Sequence, residues 1–551
     1  MKYIFLLISL FTFNFLQAQV TGVVKDAAGE PIPGANVFWM NTTNGVTTNE
    51  DGNFSIHKPA RSHMLVVSFI GFENDTIHVD KGNQQLDIVL REGVELSEVN
   101  VVTRKLGTMK LRTSVMNEDM ISSAELTRAA CCNLGESFVT NPSVDVSYSD
   151  AATGAKQIKL LGLSGTYVQM MTENIPNFRG AAAPYGLGYV PGPWMQSIQV
   201  SKGSSSVKNG YESITGQINV EFKKPQLPEA DWVSANLFAS STNRYEANAD
   251  ATVKLSKRWS TSLLAHYENE TKSHDSNDDG FVDIPRVEQY NVWNRWAYMG
   301  DHYVFQAGIK ALHETRNSGQ IAHGNTPSHD LYEIGIKTNR YEAFTKNAYI
   351  FDKEKNTNLA LILQGTLHNQ DANYGRKLYD VDQSNFYASL LFETELSKQH
   401  SLSAGLSFNY DGYDQNYRLT NQAEEGLTKK FVKESVPGAY VQYTFNLNDQ
   451  LMLMGGIRGD YSSEYGFFVT PRAHVKYNPN EYLHFRLSAG KGYRTNHVLA
   501  ENNYLLASSR KMKIASHLDQ EEAWNYGASV STYIPLFGKT LNVNAEYYYT
   551  D

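Results

Sequence analysis

The chain has 551 residues, a formal net charge of -9 and a mean hydropathy of -0.42. This length exceeds one ordinary domain, and the negative charge argues against a nucleic-acid partner. A helical membrane protein is excluded because no apolar run of about 18 residues follows the N-terminus. The 33 Tyr and 25 Phe are compatible with a membrane β-barrel, in which alternating strands keep the mean hydropathy low.

Residues 1–18 have the pattern of a secretory signal peptide. Lys2 gives the charged start, 3–16 form the apolar run, and Ala18 precedes the expected cleavage before Gln19. The alternative is a membrane anchor, for which the apolar run is short. The sequence therefore predicts an exported protein.

The segment 19–93 predicts a small β-sandwich. Its β-rich runs are separated by turn signals and comprise 20–25, 35–39, 53–56, 64–69 and 86–90. The runs TGVV at 21–24, GEPIPGA at 29–35 and DGNF at 51–54 resemble the carboxypeptidase-regulatory-like domain. The module contains no zinc-binding His-Glu cluster, so the resemblance implies no peptidase activity.

The segment 94–105 is a linker that contains LSEVNVVT at 96–103, and this run resembles the TonB box of TonB-dependent outer-membrane receptors. The expected contact residues are Glu98, Val99, Asn100, Val101 and Val102, of which Asn100 departs from the hydrophobic residue usual in the family. Such a segment acts by adding a strand to a partner's sheet edge. The alternative is an ordinary linker strand.

The segment 106–226 resembles the plug domain of the same family. The resemblance rests on GAKQIKLLGLSG at 154–165, ENIP at 173–176, SIQVSKG at 197–203 and ITGQINVEF at 214–222. Leu134 and Phe138 are one helical turn apart, which predicts a short amphipathic helix before Pro142. Val144 and Val146 begin a predicted strand that leads to a loop at 148–154.

The resemblance implies that two plug loops face outward and meet the substrate. The candidate contacts are Tyr148 and Asp150 in the first loop, and Arg179, Tyr185 and Tyr189 in the loop that follows Pro176. Exposed aromatic and arginine side chains favour recognition. The alternative is that Arg179, Tyr185 and Tyr189 pack against the inner wall of a barrel.

The segment 227–551 predicts a transmembrane antiparallel β-barrel. Apolar and polar residues alternate over 401–410, 439–445 and 541–549, and strands of about ten residues with this period suit a tilted bilayer span. A second soluble β-domain is the alternative, but its strands are usually shorter. SAGKGYR at 488–494 resembles a recurrent barrel segment of the family.

We count about a dozen to fifteen barrel strands, whereas plugged transporters have about 22. We therefore expect a longer receptor whose barrel is incomplete in this chain. The predicted fold class is all-β dominated: an N-terminal β-sandwich, an α+β plug and a partial barrel.

A calcium loop is the strongest metal candidate. Asp275, Asn277, Asp279 and Asp283 place oxygen side chains in the pattern that begins an EF-hand-type loop, with Gly280 after the third. Position twelve is Arg286 instead of the bidentate Glu, so a solvated acidic loop remains the alternative.

Soft-metal binding is a second candidate, at Cys131, Cys132, Met170 and Met171. Thiolates and thioethers favour Cu(I), but buried cysteines and methionines also serve as core residues. A strained vicinal disulfide is a third possibility.

The resemblance implies import of a scarce ligand across the outer membrane of a double-membrane bacterium. The N-terminal domain would lie in the periplasm, and a TonB-type inner-membrane complex would supply the energy. A metal chelate of siderophore type is the first expectation, with copper or another metal ion, cobalamin, oligosaccharides, or a signalling or adhesion role as alternatives. No catalytic constellation indicates an enzyme.

Overall fold

The structure of the chain is a computed structural model that describes residues 19–551 except 27–28, 40–44, 50, 59–62, 70–74, 80–84, 91–107, 112–113, 227–231, 322–330, 423–425, 449, 481, 516 and 537–538. The predicted signal peptide at 1–18 and the predicted TonB box at 98–102 lie outside the described residues. The chain divides into two compact units, Met1–Thr103 and Arg104–Asp551. None of the described helices combines the length and the apolarity that crossing a membrane requires.

The first unit is a β-sandwich, as predicted. Its seven strands are β1 Gln19–Lys25, β2 Asn36–Trp39, β3 Gly45–Thr47, β4 Asn53–His57, β5 Met64–Ser68, β6 Asp75–His78 and β7 Gln85–Val89. They form one sheet in the order β4-β1-β7 and another in the order β3-β2-β5-β6. Alternating residues of both sheets face inward, so that Val24, Trp39, Ile56 and Leu65 are buried in one core.

The plug contains β8 Thr108–Lys110, β9 Asn117–Ser122, α1 Ser123–Arg128, β10 Val144–Asp150, β11 Ala155–Leu160, β12 Val168–Thr172, β13 Ile175–Pro176, β14 Met195–Lys202 and β15 Gly216–Phe222. Six strands form a sheet in the order β13-β12-β15-β14-β9-β8, and β10 pairs with β11. Every residue of β15 is buried, as expected for a central strand that is covered on both faces.

Two local predictions for the plug were wrong. The segment around Leu134 and Phe138 forms a 3₁₀ helix, Leu134–Glu136, followed by turns, because Asn133 caps a single short turn. The α-helix of this region is α1, which Ser122 caps by accepting a hydrogen bond from the Glu125 backbone N–H. Tyr148 and Asp150 belong to β10 instead of a loop.

The barrel portion is a 15-stranded sheet in which each strand pairs with the next in antiparallel fashion. Its strands are β16 Val233–Ala239, β17 Arg244–Lys254, β18 Trp259–Glu270, β19 Arg286–Met299, β20 Tyr303–Gly319, β21 Glu333–Asp352, β22 Thr357–Tyr374, β23 Lys377–Ser397, β24 His400–Arg418, β25 Thr428–Leu447, β26 Leu451–Ser462, β27 Gly466–Asn480, β28 Leu483–Arg494, β29 Glu521–Leu536 and β30 Lys539–Thr550. The longest, β23, has 21 residues, about twice the length that the sequence analysis assigned to a strand.

The two faces of this sheet differ as the alternation predicted. Leu406 on β24 is 58% exposed on the outer face, whereas Ser403 and Asn409 of the same strand are buried on the inner face. The plug packs against that inner face through a shared core that includes Trp194 from the plug and Trp293 from β19. Buried ion pairs add to this contact, among them Arg295 of β19 with Glu173 of the plug at 2.6 Å.

Candidate functional site

A cavity of about 410 Å³ lies between the plug and one end of the barrel sheet. The barrel side is lined by residues 494–498, 501, 502, 504 and 521, which belong to or adjoin the connection between β28 and β29. The plug side includes Gln157, Tyr167 and Arg179. A volume of this size is typical of small-molecule sites.

The long connections of the barrel identify the end at which the cavity lies. The four longest are 271–285, 320–332, 419–427 and 495–520, and all four join strands at the same end of the sheet. Outer-membrane barrels have short turns on the periplasmic side and longer loops outside. The cavity is thus at the end with the features of an extracellular face.

Two arginines in the cavity wall are each paired with carboxylates. Arg179 Nη2 lies 2.6 Å from Glu212 Oε1, and Arg179 Nη1 lies 3.4 Å from Asp411 Oδ2 of β24. Arg494 Nη1 lies 2.9 Å from Glu521 Oε2, and Arg494 Nη2 also contacts Glu501. The positive charge of both guanidinium groups is therefore neutralised within the protein.

The remaining wall offers amides, hydroxyls and aromatic rings. Gln157, Asn496 and Asn502 contribute amides, and Tyr167 and Tyr504 contribute rings with polar tips. The Arg494 guanidinium lies 5.9 Å from the centre of the Tyr167 ring, which joins the plug and barrel sides of the wall. Such a surface can hydrogen-bond to a polar ligand and stack against its apolar faces.

Burial alters the protonation of three groups at the cavity. It raises the pKa of Glu501 to about 7, although Arg494 opposes the shift. It also raises the pKa of Glu212, an effect that Arg179 opposes, and it lowers the pKa of His497 to about 4. At neutral pH, His497 is therefore uncharged, and Glu501 is close to its titration point.

The connection 495–520 folds inward and is hydrogen-bonded to both the barrel and the plug. It contains α2 Val498–Glu501 and a 3₁₀ helix, Asn503–Ala507. Asn503 is fully buried, and its Oδ1 accepts hydrogen bonds from Tyr374 of β22 at 2.9 Å and from Tyr185 of the plug at 3.3 Å. Lys377 Nζ donates to the carbonyl oxygens of three residues of the connection, Leu506, Ser508 and Arg510.

The structure places only one of the five predicted substrate contacts, Arg179, in this cavity. Tyr148 is 53% exposed and lies beneath Lys156, whose Nζ is 5.2 Å from the ring centre. Asp150 accepts hydrogen bonds from the backbone N–H and hydroxyl of Thr153, both at 2.7 Å. The Asp150 carboxylate therefore stabilises the turn that follows β10.

Tyr185 and Tyr189 pack against the inner wall of the barrel, which was the alternative considered for them. Tyr185 is 2% exposed and lies under Arg316 of β20, 5.1 Å from the ring centre, while Tyr189 is fully buried near His368 of β22. Tyr185 and Tyr148 also line a second cavity of about 280 Å³, which lies beside β16–β20. Ligand contact by these residues remains a prediction.

The predicted calcium loop is closed by hydrogen bonds to its own backbone. The Asp275 carboxylate accepts from the N–H groups of Asp279 and Gly280, and the Asp283 carboxylate accepts from Ser276 N–H at 2.7 Å. Across the described part of the chain, no three or more His, Cys, Asp and Glu side chains are grouped so that they could hold a metal ion. The calcium prediction stays a prediction.

The two predicted soft-metal ligands Cys131 and Cys132 are free, buried thiols. Cys131 belongs to the plug core, and Cys132 lines the second cavity. Burial raises the pKa of both thiols, which disfavours the thiolate that a metal requires. Met171 is fully buried in β12, and the neighbouring Met170 packs against the same core.

Sequence reasoning did not identify the contribution of residues 494–504 to the cavity. Arg494 ends the SAGKGYR segment, which was noted only as a family feature of the barrel. Glu501, Asn502 and Tyr504 follow it in an irregular stretch without periodicity. The one available signal was the length of the connection, because long connections in compact folds are often functional.

Three family models match successive parts of the chain. The CarboxypepD_reg-like domain matches residues 20–102, the TonB-dependent Receptor Plug Domain matches 110–217, and the TonB dependent receptor-like beta-barrel matches 199–551. The last of these covers more than half of the 551 residues.

Individual proteins agree with this assignment. TonB-dependent receptor SusC of Bacteroides thetaiotaomicron is 28% identical over 245 residues, a match that covers 42% of this chain but only 24% of SusC. The alcaligin outer membrane receptor FauA of Bordetella pertussis superposes with a TM-score of 0.61 at 14% identity, covering 83% of this chain and 76% of FauA. The siderophore receptor PirA of Acinetobacter baumannii gives a TM-score of 0.61 at 14% identity, covering 78% and 70%. The barrel model, which matches more than half of the residues, shows that the chain belongs to the TonB-dependent receptors, a family of outer-membrane β-barrel proteins that are not enzymes.

Proposed function

We propose that this protein imports a small polar ligand across the outer membrane by TonB-dependent transport. The observation that carries the proposal is the shared cavity of about 410 Å³, whose walls come from both the plug and the barrel connection 495–520. An occupant contacts both parts at once. Its binding energy can therefore change the position of the plug relative to the barrel, which is the requirement for gating.

We infer that the coupling runs through the segment 502–504, whose residues contact the cavity, the barrel and the plug. Asn502 and Tyr504 line the cavity, and Asn503 between them holds Tyr185 of the plug. A shift of this segment on ligand binding loosens or tightens that plug contact. The segment 98–102 then acts as the TonB box. The N-terminal sandwich lies in the periplasm, and a TonB-type inner-membrane complex supplies the energy.

The chemistry of the wall favours a neutral, hydroxyl-rich ligand of the oligosaccharide type. Arg179 and Arg494 are already paired with carboxylates. Amides and hydroxyls are suited to exchange hydrogen bonds with sugar hydroxyls, and the Tyr167 and Tyr504 rings are suited to the C–H faces of a sugar.

A metal chelate of siderophore type, the first expectation from the sequence, is the competing cargo. A strongly anionic chelate needs cationic groups that are not neutralised, because charge-assisted hydrogen bonds give such sites their strength. Binding of such a chelate here requires at least one of the two arginine clusters to open.

The test compares uptake in a strain that lacks the receptor gene with the same strain carrying the full-length gene. Cells are given radiolabelled neutral oligosaccharides or ferric chelates, with and without the energised TonB complex. We expect oligosaccharide uptake that requires both the gene and the energised complex. Tyr504→Ala should reduce it at least tenfold, whereas Tyr461→Ala, on the exposed outer face of β26, should leave it unchanged.

Two outcomes separate the parts of the proposal. Energised uptake of a ferric chelate alone refutes the ligand class but not the transport function. If neither class of ligand is taken up in an energy-dependent way, the proposed transport of these ligands is wrong.

A further inference from the structure

The N-terminal sandwich carries a surface group of two histidines and a methionine that is separate from the cavity. Met64 on β5 stands opposite His78 on β6 in the strand register, and His63 precedes Met64 in the chain. His63 and His78 are exposed, and Met64 is half-buried. The three side chains therefore share one accessible edge of the four-stranded sheet.

The distances within this group match those between ligands of a single metal ion. The His63 and His78 ring centres are 6.0 Å apart, and His78 Nδ1 lies 3.2 Å from Met64 Sδ. With metal–nitrogen bonds of about 2.0 Å, an ion held between two imidazoles separates their centres by about 6 Å. A nitrogen and a sulfur bound to one ion at about 2.0 and 2.3 Å stand roughly 3–3.6 Å apart.

From this geometry we propose that His63, Met64 and His78 form a binding site for a soft monovalent metal ion, Cu(I) in the first instance. Two imidazoles and a thioether are neutral ligands, and a thioether selects Cu(I) over the harder divalent ions. The site is open to solvent, so an ion can enter without unfolding the sandwich. The proposal concerns binding alone and involves no change in the oxidation state of the metal.

Lys58 places a positive charge beside the site. Its Nζ lies 3.2 Å from His63 Nδ1 and donates to the Val79 carbonyl oxygen at 2.6 Å. In the metal-bound state, His63 uses Nε2 for the ion and carries its proton on Nδ1, and Lys58 keeps its bond to Val79. The Lys58 ammonium group lies at the other nitrogen of the His63 ring and repels a metal cation bound at Nε2, so the removal of its charge should strengthen binding.

The experiment measures Cu(I) binding to the full chain in detergent, under anaerobic conditions, by competition with a colorimetric Cu(I) chelator. A background of Cys131→Ser and Cys132→Ser removes the buried thiols as competing ligands. We expect one Cu(I) per chain, an affinity reduced at least tenfold by His63→Ala, Met64→Leu or His78→Ala, and a higher affinity in Lys58→Gln. His517→Ala is the matched control, because His517 is an exposed histidine in the barrel connection 495–520.

Two results would overturn the proposal. One is Cu(I) binding that none of the three substitutions weakens, with circular dichroism confirming that the variants are folded. The other is Cu(I) binding that is equally tight in Met64→Leu, since it would show that the thioether is not a ligand.

Discussion

Arg179→Met tests whether paired charges hold the outer loop of the plug against the barrel. The substitution keeps an apolar stem and removes a guanidinium that lies 2.6 Å from Glu212 and 3.4 Å from Asp411. Its side chain is 16% exposed, so solvent screening is limited. At an effective dielectric constant of about 20, the attraction to Glu212 is worth about 6 kcal/mol and that to Asp411 about 5 kcal/mol before desolvation is counted. Loss of one partner from a buried ion pair leaves an uncompensated charge and costs about 3–5 kcal/mol.

Protonation of Glu212 at low pH reduces the free-energy cost of replacing Arg179. Burial raises the pKa of Glu212 and Arg179 opposes the shift, so the pKa rises further when Arg179 is replaced. A carboxyl whose folded-state pKa is raised contributes stability at low pH and loses it as the pH rises through the folded pKa. The variant should therefore be less destabilised at low pH than at high pH.

Hydrogen exchange of peptides covering 177–189 in the detergent-solubilised chain provides the assay. After correction for intrinsic rates, we expect opening of this segment to increase by about 10²–10³-fold at pH 8, the equivalent of about 3–4 kcal/mol. Asp411→Asn in the Arg179→Met background should recover part of the loss. Unchanged exchange at pH 8 would refute the assignment of Arg179 as an ionic tether.

Three further predictions address the connection 495–520, the sandwich core and the plug backbone. Because the pKa of Glu501 is raised to about 7 from its usual 4.5, protection of the connection against hydrogen exchange should fall as the pH rises from about 4.5 to 7. Glu501→Gln should abolish this dependence, and a pH-independent wild type would contradict the burial argument. Trp39→Ala should destabilise the N-terminal unit by about 3–5 kcal/mol, because it empties a fully buried site and removes the hydrogen bond from the indole N–H to the His57 carbonyl oxygen. A loss of less than about 1 kcal/mol in the free energy of unfolding, measured by heat or denaturant, would argue against that packing. Gly192→Ala should prevent correct plug folding, because the new Cβ would overlap the Cys131 carbonyl oxygen. Gly188→Ala should be tolerated, because its Cβ would meet only Arg316 Nη2 at 3.9 Å. The resistance of the plug to protease digestion is compared in the two variants.

The sequence alone predicted the strands whose side chains alternate. The runs 20–25, 53–56 and 401–410 all fall within observed strands, because one buried face imposes a period of two on the chain. The short edge strands β3 and β6 were missed, since three or four residues carry too little periodicity to stand out. The short helix predicted from the spacing of Leu134 and Phe138 is a single 3₁₀ helix, Leu134–Glu136, because apolar spacing alone does not fix the length of a helix.

Residue type predicted the strands of the fold better than it predicted which side chains border the cavity. Arg179, Tyr185 and Tyr189 look equally suited to recognition, yet only Arg179 borders the cavity of about 410 Å³. The two tyrosines are buried against the barrel. Whether an aromatic ring meets a ligand or a wall depends on the strands it faces, and these are more than 100 residues away in the chain.

The sequence by itself determined the class of molecule: a β-rich chain with a sandwich, a plug and dyad-patterned barrel strands. These features are local, because turn residues and side-chain alternation act over a few residues. Only the tertiary structure decided which charges meet. Arg179 faces Asp411, and Arg494 pairs with Glu501 and Glu521 across the entrance of a long connection. Such pairs depend on the register of strands and on how the plug is seated against them, and neither is encoded in any single segment.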